Sequence, residues 1–143
     1  MLVSFDVCNL FPSVPPLKCI SLIRSLLFKT DLPDYVTQDL YNILDITLQQ
    51  NFFIFTDNYY EQSDGLAMGS PLSPLLAEIF MDHLEVCHIS VSDLFTRHVL
   101  QWYRYVDDIF AIFDGILDEL NTFVSFLNSL HPRINFTFET EAN

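Results

Sequence analysis

Asp107 and Asp108 stand side by side inside an aromatic and β-branched run, Trp102 to Phe113, where Arg104 is the only other charged residue. A run of that composition reads as strand, and an acid pair in its middle reads as a tight hairpin tip. Neighbouring carboxylates repel by about 4 kcal/mol at 4 Å and an effective dielectric near 20. A divalent metal held by hard oxygen ligands relieves that repulsion, and a solvated Asp-Asp turn is the competing reading. Asp6 is a third acid set beside an apolar strand. If that strand lies against the hairpin, Asp6, Asp107 and Asp108 converge on one sheet edge. Two metals about 4 Å apart there could activate an attacking hydroxyl and stabilise a leaving oxygen, the requirements of phosphoryl transfer.

The elements that would position these acids follow from periodicity. Leu2 to Val7 reads as a short strand with Asp6 near its end. Pro12, Pro15 and Pro16 break the backbone, and the spacing of Leu17, Ile20, Ile23, Leu26 and Leu27 predicts a helix to Phe28. A second helix follows Asp31-Leu32-Pro33-Asp34, with Val36, Leu40, Ile43, Leu44 and Leu48 on one face. Phe52 to Thr56 and Tyr59 to Glu61 form a hairpin around Asp57-Asn58. Ser63-Asp64-Gly65 opens a loop to Ser73-Pro74, which reads as an N-cap with proline at the first helical position. The helix from Pro74 to about Val86 is apolar on most sides and expected to be buried. Ser90 to His98 reads as a polar linker into the aromatic hairpin. A third amphipathic helix carries Ile116, Leu120, Phe123, Leu127 and Leu130 inward, and Ile134 to Glu139 alternates like a last strand. The expected fold class is α+β, a mainly antiparallel sheet with helices packed on one face.

Composition sets limits. The 143 residues allow one domain, and fourteen Phe with six Tyr and one Trp supply a core. Mean hydropathy of +0.28 suggests faces that other segments cover. No apolar run reaches the roughly 18 residues of a membrane span, and Met1 to Asp6 lacks a signal-peptide pattern. The net charge of −13 argues against a stand-alone nucleic-acid binder. Three cysteines, Cys8, Cys19 and Cys87, make no paired framework, which favours a reducing compartment. His83, Cys87 and His88 could share a helix end around zinc, but no fourth ligand is spaced for it, so an inert cluster is the expectation.

Three blocks in order make the sequence recognisable. Ser4-Phe5-Asp6-Val7-Cys8-Asn9-Leu10-Phe11-Pro12-Ser13-Val14-Pro15 resembles motif A of reverse transcriptases, Gly65-Leu66-Ala67-Met68-Gly69-Ser70-Pro71-Leu72-Ser73-Pro74-Leu75-Leu76-Ala77 resembles motif B, and Tyr105-Val106-Asp107-Asp108 resembles motif C. Leu130 to Thr137 is similar to the region after motif D. The Met-Gly-Ser-Pro-Leu-Ser-Pro form of the second block is most similar to Penelope-like retroelement enzymes, relatives of telomerase reverse transcriptase. The resemblance implies a polymerase palm with a ferredoxin-like antiparallel sheet over residues 1–143. It implies RNA-directed DNA synthesis, with two Mg²⁺ ions (Mn²⁺ a substitute) joining a deoxynucleotide to a primer 3′-hydroxyl. Asp6, Asp107 and the Val7 carbonyl would be metal ligands, and Asp108 a nearby acid of lesser role. Phe11 would be the steric gate under the sugar. Met68 and Gly69 would face the nucleotide, and Gly65, Ser70, Pro71 and Tyr105 would lie near template and primer. RNA template, DNA primer and dNTP are the implied partners, with no membrane, and a nuclear location is implied by the family alone.

The sequence also departs from the family. Met68 stands where many relatives have Gln, and Asn135 where they often carry a basic residue. The expectation is a partial domain, without the family's fingers, thumb, basic template-binding segments or endonuclease. Such a palm core keeps the acids and lacks the cations, which accounts for the charge. Two further readings compete: a catalytically silent remnant serving at most as an interaction module, and an unrelated Ca²⁺-binding domain. The latter is weakened because no loop has closely spaced oxygen ligands.

Overall fold

In the computed structural model, which describes residues 1–141, the central strand comes first in the chain. Strand β1 (Leu2–Val7) alternates strictly between exposed and buried residues. Val3, Phe5 and Val7 are turned into the core, leaving Leu2, Ser4 and Asp6 on the open face. The period-2 pattern leaves a strand no other way to bury one apolar row. Strands β2 (Phe52–Phe55) and β3 (Asn58–Glu61) form a separate hairpin. Strands β4 (Val99–Tyr105), β5 (Asp108–Phe113) and β6 (Phe136–Thr140) join β1 in a four-stranded sheet of order β4-β5-β1-β6. Every pairing in it is antiparallel.

The described residues also form six α-helices: α1 (Leu10–Ser13), α2 (Pro16–Leu27), α3 (Asp34–Gln49), α4 (Ser73–Leu84), α5 (Asp93–His98) and α6 (Leu117–Ser129). A π-helical turn, Glu85–Ile89, continues α4. Helix α6 buries Leu120, Phe123 and Leu127, spaced to share one helical face. Phe123 meets Phe5 at 6.1 Å and Phe113 at 5.9 Å between ring centroids, so aromatic edges tie α6 to the two middle strands. Helix α4 is the most deeply set, with Leu76, Ala77, Phe80, Met81 and Leu84 buried. Asn128 closes the sheet's far edge: its Oδ1 accepts from the Phe136 amide (2.6 Å) and its Nδ2 donates to the Phe136 carbonyl (3.1 Å). Among the described residues no helix is long and apolar enough to cross a membrane.

The expected α+β sheet with helices on one face is the observed fold, with several local corrections. Leu10–Ser13 is a helical turn where a proline-rich break was expected, entered through Asn9 in the left-handed region (φ 49°). The β2–β3 turn falls on Thr56 and Asp57 (φ 48° and 62°), one residue earlier than expected, because a type I′ turn needs two consecutive positive φ values. Ser73 is not an N-cap: it lies inside α4, is buried, and donates its hydroxyl to the Ala67 carbonyl at 2.6 Å. The expected polar linker contains α5, capped by Ser92, whose Oγ accepts from the Phe95 amide at 3.2 Å. Finally, α3 has no buried residue, and Ile116 of the expected inner face is exposed. Leu40 and Ile43 of α3 are exposed, as are all eight residues of β2 and β3.

The ionisable groups make the fold acid-sensitive in two stages. Burial holds the His131 and His83 pKa values below the usual 6.5, and His131 lies edge-on to Phe80 at 5.4 Å. A histidine whose folded pKa is depressed resists protonation, so stability falls as pH drops below 6.5. The Arg104 hydrogen bond depresses the Glu78 pKa, and the Arg133 hydrogen bond depresses that of Asp64. Their contributions are complete above the ordinary values of 4.5 and 3.8 and are lost as pH falls through the lower folded ones. Melting temperatures recorded from pH 8 downward should therefore decline first below 6.5 and again below 4.5; a flat profile between 6.5 and 5 would contradict the histidine assignment.

Candidate active site

Strands β1 and β5 bring the acids together from opposite ends of the chain. Their register pairs Asp6 with Asp108, and the Val7 amide donates to the Asp107 carbonyl at 3.0 Å. That hydrogen bond makes Asp6–Asp108 a non-hydrogen-bonded pair, the kind with Cα atoms about 4.5 Å apart and side chains closest. Asp6 and Asp108 are exposed on the sheet's open face, and Asp107 is half-buried at the hairpin tip. Among the described residues no cation pairs with any of the three. Like charges directly opposed across strands destabilise a sheet, so the fold carries here a local cost that packing does not require.

The hairpin tip is itself strained. Tyr105 pairs with Asp108, leaving Val106 and Asp107 as a two-residue loop. Val106 has φ 58° and is half-buried against the core. A first loop residue at positive φ is the type II′ pattern, which glycine ordinarily fills. A β-branched residue there costs about 1–3 kcal/mol and persists only where its surroundings enforce it.

A cavity of about 510 Å³ opens beside Asp107, lined also by Phe11, Met68, Gly69, Ser70, Ser73 and Pro74. It joins the helical turn after β1, the loop before α4 and the hairpin tip. The structure thus groups Phe11, Met68, Gly69 and Ser70 with Asp107. Asp6, Val7 and Asp108 lie on the adjoining strand ends, and Tyr105 is an exposed neighbour of the tip. Gly69 (φ 94°) has open space where a side chain would project. A larger cleft of about 750 Å³ shares Met68 to Ser70 and continues to Phe52 and Phe53. Sequence reasoning did not find Ser73 and Pro74 as lining residues, because their reading as a helix start absorbed them.

Gly65 sits deeper, with φ 76°, against the backbone of Pro12; a Cβ would come within 2.5 Å of the Pro12 carbonyl oxygen. The Leu66 amide donates to the Phe11 carbonyl (2.8 Å), and Arg133 joins the Pro12 carbonyl (2.8 Å) to Asp64. Gly65 therefore locks the loop before α4 onto the turn that carries Phe11. Gly65→Ala meets both the left-handed φ and an immovable backbone, so it should cost at least about 2 kcal/mol in urea unfolding. An unchanged midpoint would show that the two loops are not locked.

Metal chemistry is limited by the donor set. Among the described residues no group of three or more His, Cys, Asp or Glu side chains is assembled to hold a metal ion. The three aspartates therefore share an edge without closing into a three-ligand cluster. The same finding covers His83, Cys87 and His88, where the Cys87 Sγ and His83 Nδ1 are 3.4 Å apart. Carboxylates without cation partners beside a backbone carbonyl suit Mg²⁺, which is commonly held by one or two carboxylates, waters and substrate phosphates rather than by an all-protein cage.

An antiparallel four-stranded sheet, helices on one face, and acids at the joined ends of its two middle strands define a polymerase palm. The chain matches the family model described as reverse transcriptase (RNA-dependent DNA polymerase) over residues 1–141, and it belongs to that family. No curated protein matches it. The family consists of RNA-directed DNA polymerases, nucleotidyltransferases that bind RNA template, primer and deoxynucleotide and use divalent metal ions.

Proposed function

We propose that these residues form the catalytic centre of a retroelement reverse transcriptase that adds deoxynucleotides to a primer 3′-hydroxyl by a two-metal reaction. The observation carrying this reading is the Asp6–Asp108 pairing with Val7 hydrogen-bonded to Asp107, which sets two carboxylates opposite each other and a third aspartate at the adjoining tip, with no paired cation among the described residues. Asp6, Asp107 and the Val7 carbonyl would hold two Mg²⁺ ions, with Mn²⁺ as substitute, and Asp108 would add charge from the neighbouring position. Bound there, the ions would activate the hydroxyl and neutralise charge on the leaving phosphate.

The chain's own residues then set position and selectivity. The nucleotide sugar would lie over Phe11, whose ring would leave no room for a 2′-hydroxyl, with the base and phosphates along Met68 and Gly69. The open space at Gly69 supports close approach of substrate to backbone. Ser70, Pro71, Gly65 and Tyr105 would border template and primer. The form of the second block supports a place in the Penelope-like branch, where copying into chromosomes would put the enzyme in the nucleus. The direct test is extension of a DNA primer on an RNA template with single deoxynucleotides in Mg²⁺ or Mn²⁺. Extension that is lost in Asp107→Asn supports the reading, and equal extension by wild type and variant removes it.

A further inference from the structure

Arg104 lies two residues before the strained tip, with a side chain only 6% exposed. Its guanidinium forks onto Glu78 of α4, Nη1 at 2.7 Å and Nη2 at 3.0 Å. Its Nε donates to Glu85 at 2.8 Å, and the same Glu85 oxygen accepts from the Trp102 indole at 2.9 Å. Glu85 opens the π-helical turn, a deviation that often marks functional positions in helices. Nη1 also donates to the Val106 carbonyl at 3.3 Å, and so to the residue held at φ 58°. Burial pulls the Arg104 pKa down, yet hydrogen bonds to Glu78 and Glu85 outweigh it and leave the guanidinium above its ordinary value.

We propose that Arg104 is a positioning residue: anchored by Glu78 and Glu85, it clamps the Val106 carbonyl and fixes the left-handed turn that aims Asp107. This deepens the catalytic reading given above and rests on it for its purpose. The geometry explains why a valine is tolerated where glycine is the ordinary choice, because a planar fork fixed at two carboxylates holds the third contact without searching for it. Lysine at 104 would keep one charge and lose the fork.

The test uses the full chain, with Mn²⁺ as the probe and two readouts. The first is amide exchange at Val7, the donor to the Asp107 carbonyl, compared with Cys8, whose amide bonds Asn135 on the opposite side of β1. The second is Mn²⁺ affinity. Arg104→Lys should speed Val7 exchange about tenfold, leave Cys8 unchanged, and weaken Mn²⁺ binding about 10- to 100-fold. Adding Val106→Gly, which adopts the turn without enforcement, should restore both. A residue that merely tethers β4 to α4 would not be rescued at position 106. Unchanged Val7 exchange in Arg104→Lys, or no rescue by Val106→Gly, overturns the clamp. Failure of the catalytic reading looks different: wild type and Asp107→Asn would bind Mn²⁺ equally, while Val7 exchange would still follow Arg104.

Discussion

Asp107→Asn, and separately Asp6→Asn, should lower RNA-templated primer extension by at least about a thousandfold, and Asp6→Asn should at the same time raise the melting temperature of the metal-free protein. The first effect follows because metal ions held by these carboxylates would supply several kcal/mol of charge stabilisation, and about 4 kcal/mol corresponds to a factor of 10³. The second follows from the structure directly. Asp6 faces Asp108 across the strands, and no cation among the described residues pairs with them. Replacing one charge by an isosteric amide removes about 1 kcal/mol of exposed repulsion, equivalent to a rise of roughly 2–4 °C. The opposite signs are the useful part, since an ordinary structural aspartate would lower stability on replacement. Extension retained by either variant, or a fall in the Asp6→Asn melting temperature without metal, would count against the two-metal assignment.

Phe11→Ala should relax sugar selectivity, raising ribonucleotide incorporation relative to deoxynucleotide by about a hundredfold, the scale on which pocket shape discriminates a single small group. Phe11 is well placed for the effect to be separable from folding. It is only half-buried, it lines the same cavity as Asp107, and its carbonyl rather than its ring bonds the Leu66 amide. The ratio of kcat/KM for the two sugars is the measurement. An unchanged ratio would make the ring part of the core, the role of Phe5, Phe113 and Phe123.

Much of the fold was legible because alternation is hard to satisfy in more than one way. Val3, Phe5 and Val7 had to face inward together, and Leu120, Phe123 and Leu127 had to share a helix face. Where the reading failed, a side chain had a tertiary partner that local pattern does not encode. Ser73 gives its hydroxyl to Ala67, and so is no cap. Leu40 and Ile43 announce an amphipathic helix without saying what it meets, and both are exposed. The candidate site was legible in residue type and less so in geometry. The acids stood out by their apolar surroundings, but nothing local announces Val106 at positive φ, because a β-branched residue argues against it. The Arg104–Glu78–Glu85 contacts join residues 26 and 19 positions apart, beyond the reach of any turn or helix spacing. A lone arginine in an aromatic strand was their one visible signal.

The strict inside-outside rhythm of β1 couples chemistry to architecture in one direction only. Sliding that strand by a single position would bury Asp6 and eject Phe5, so no drift of alignment can move the acid while the molecule survives. Swapping the acid itself disturbs nothing behind it. If Asp6 holds metal as proposed, a lineage carrying this chain would fall silent by one point change and keep its shape indefinitely, whereas decay of the shape would end the chemistry at once.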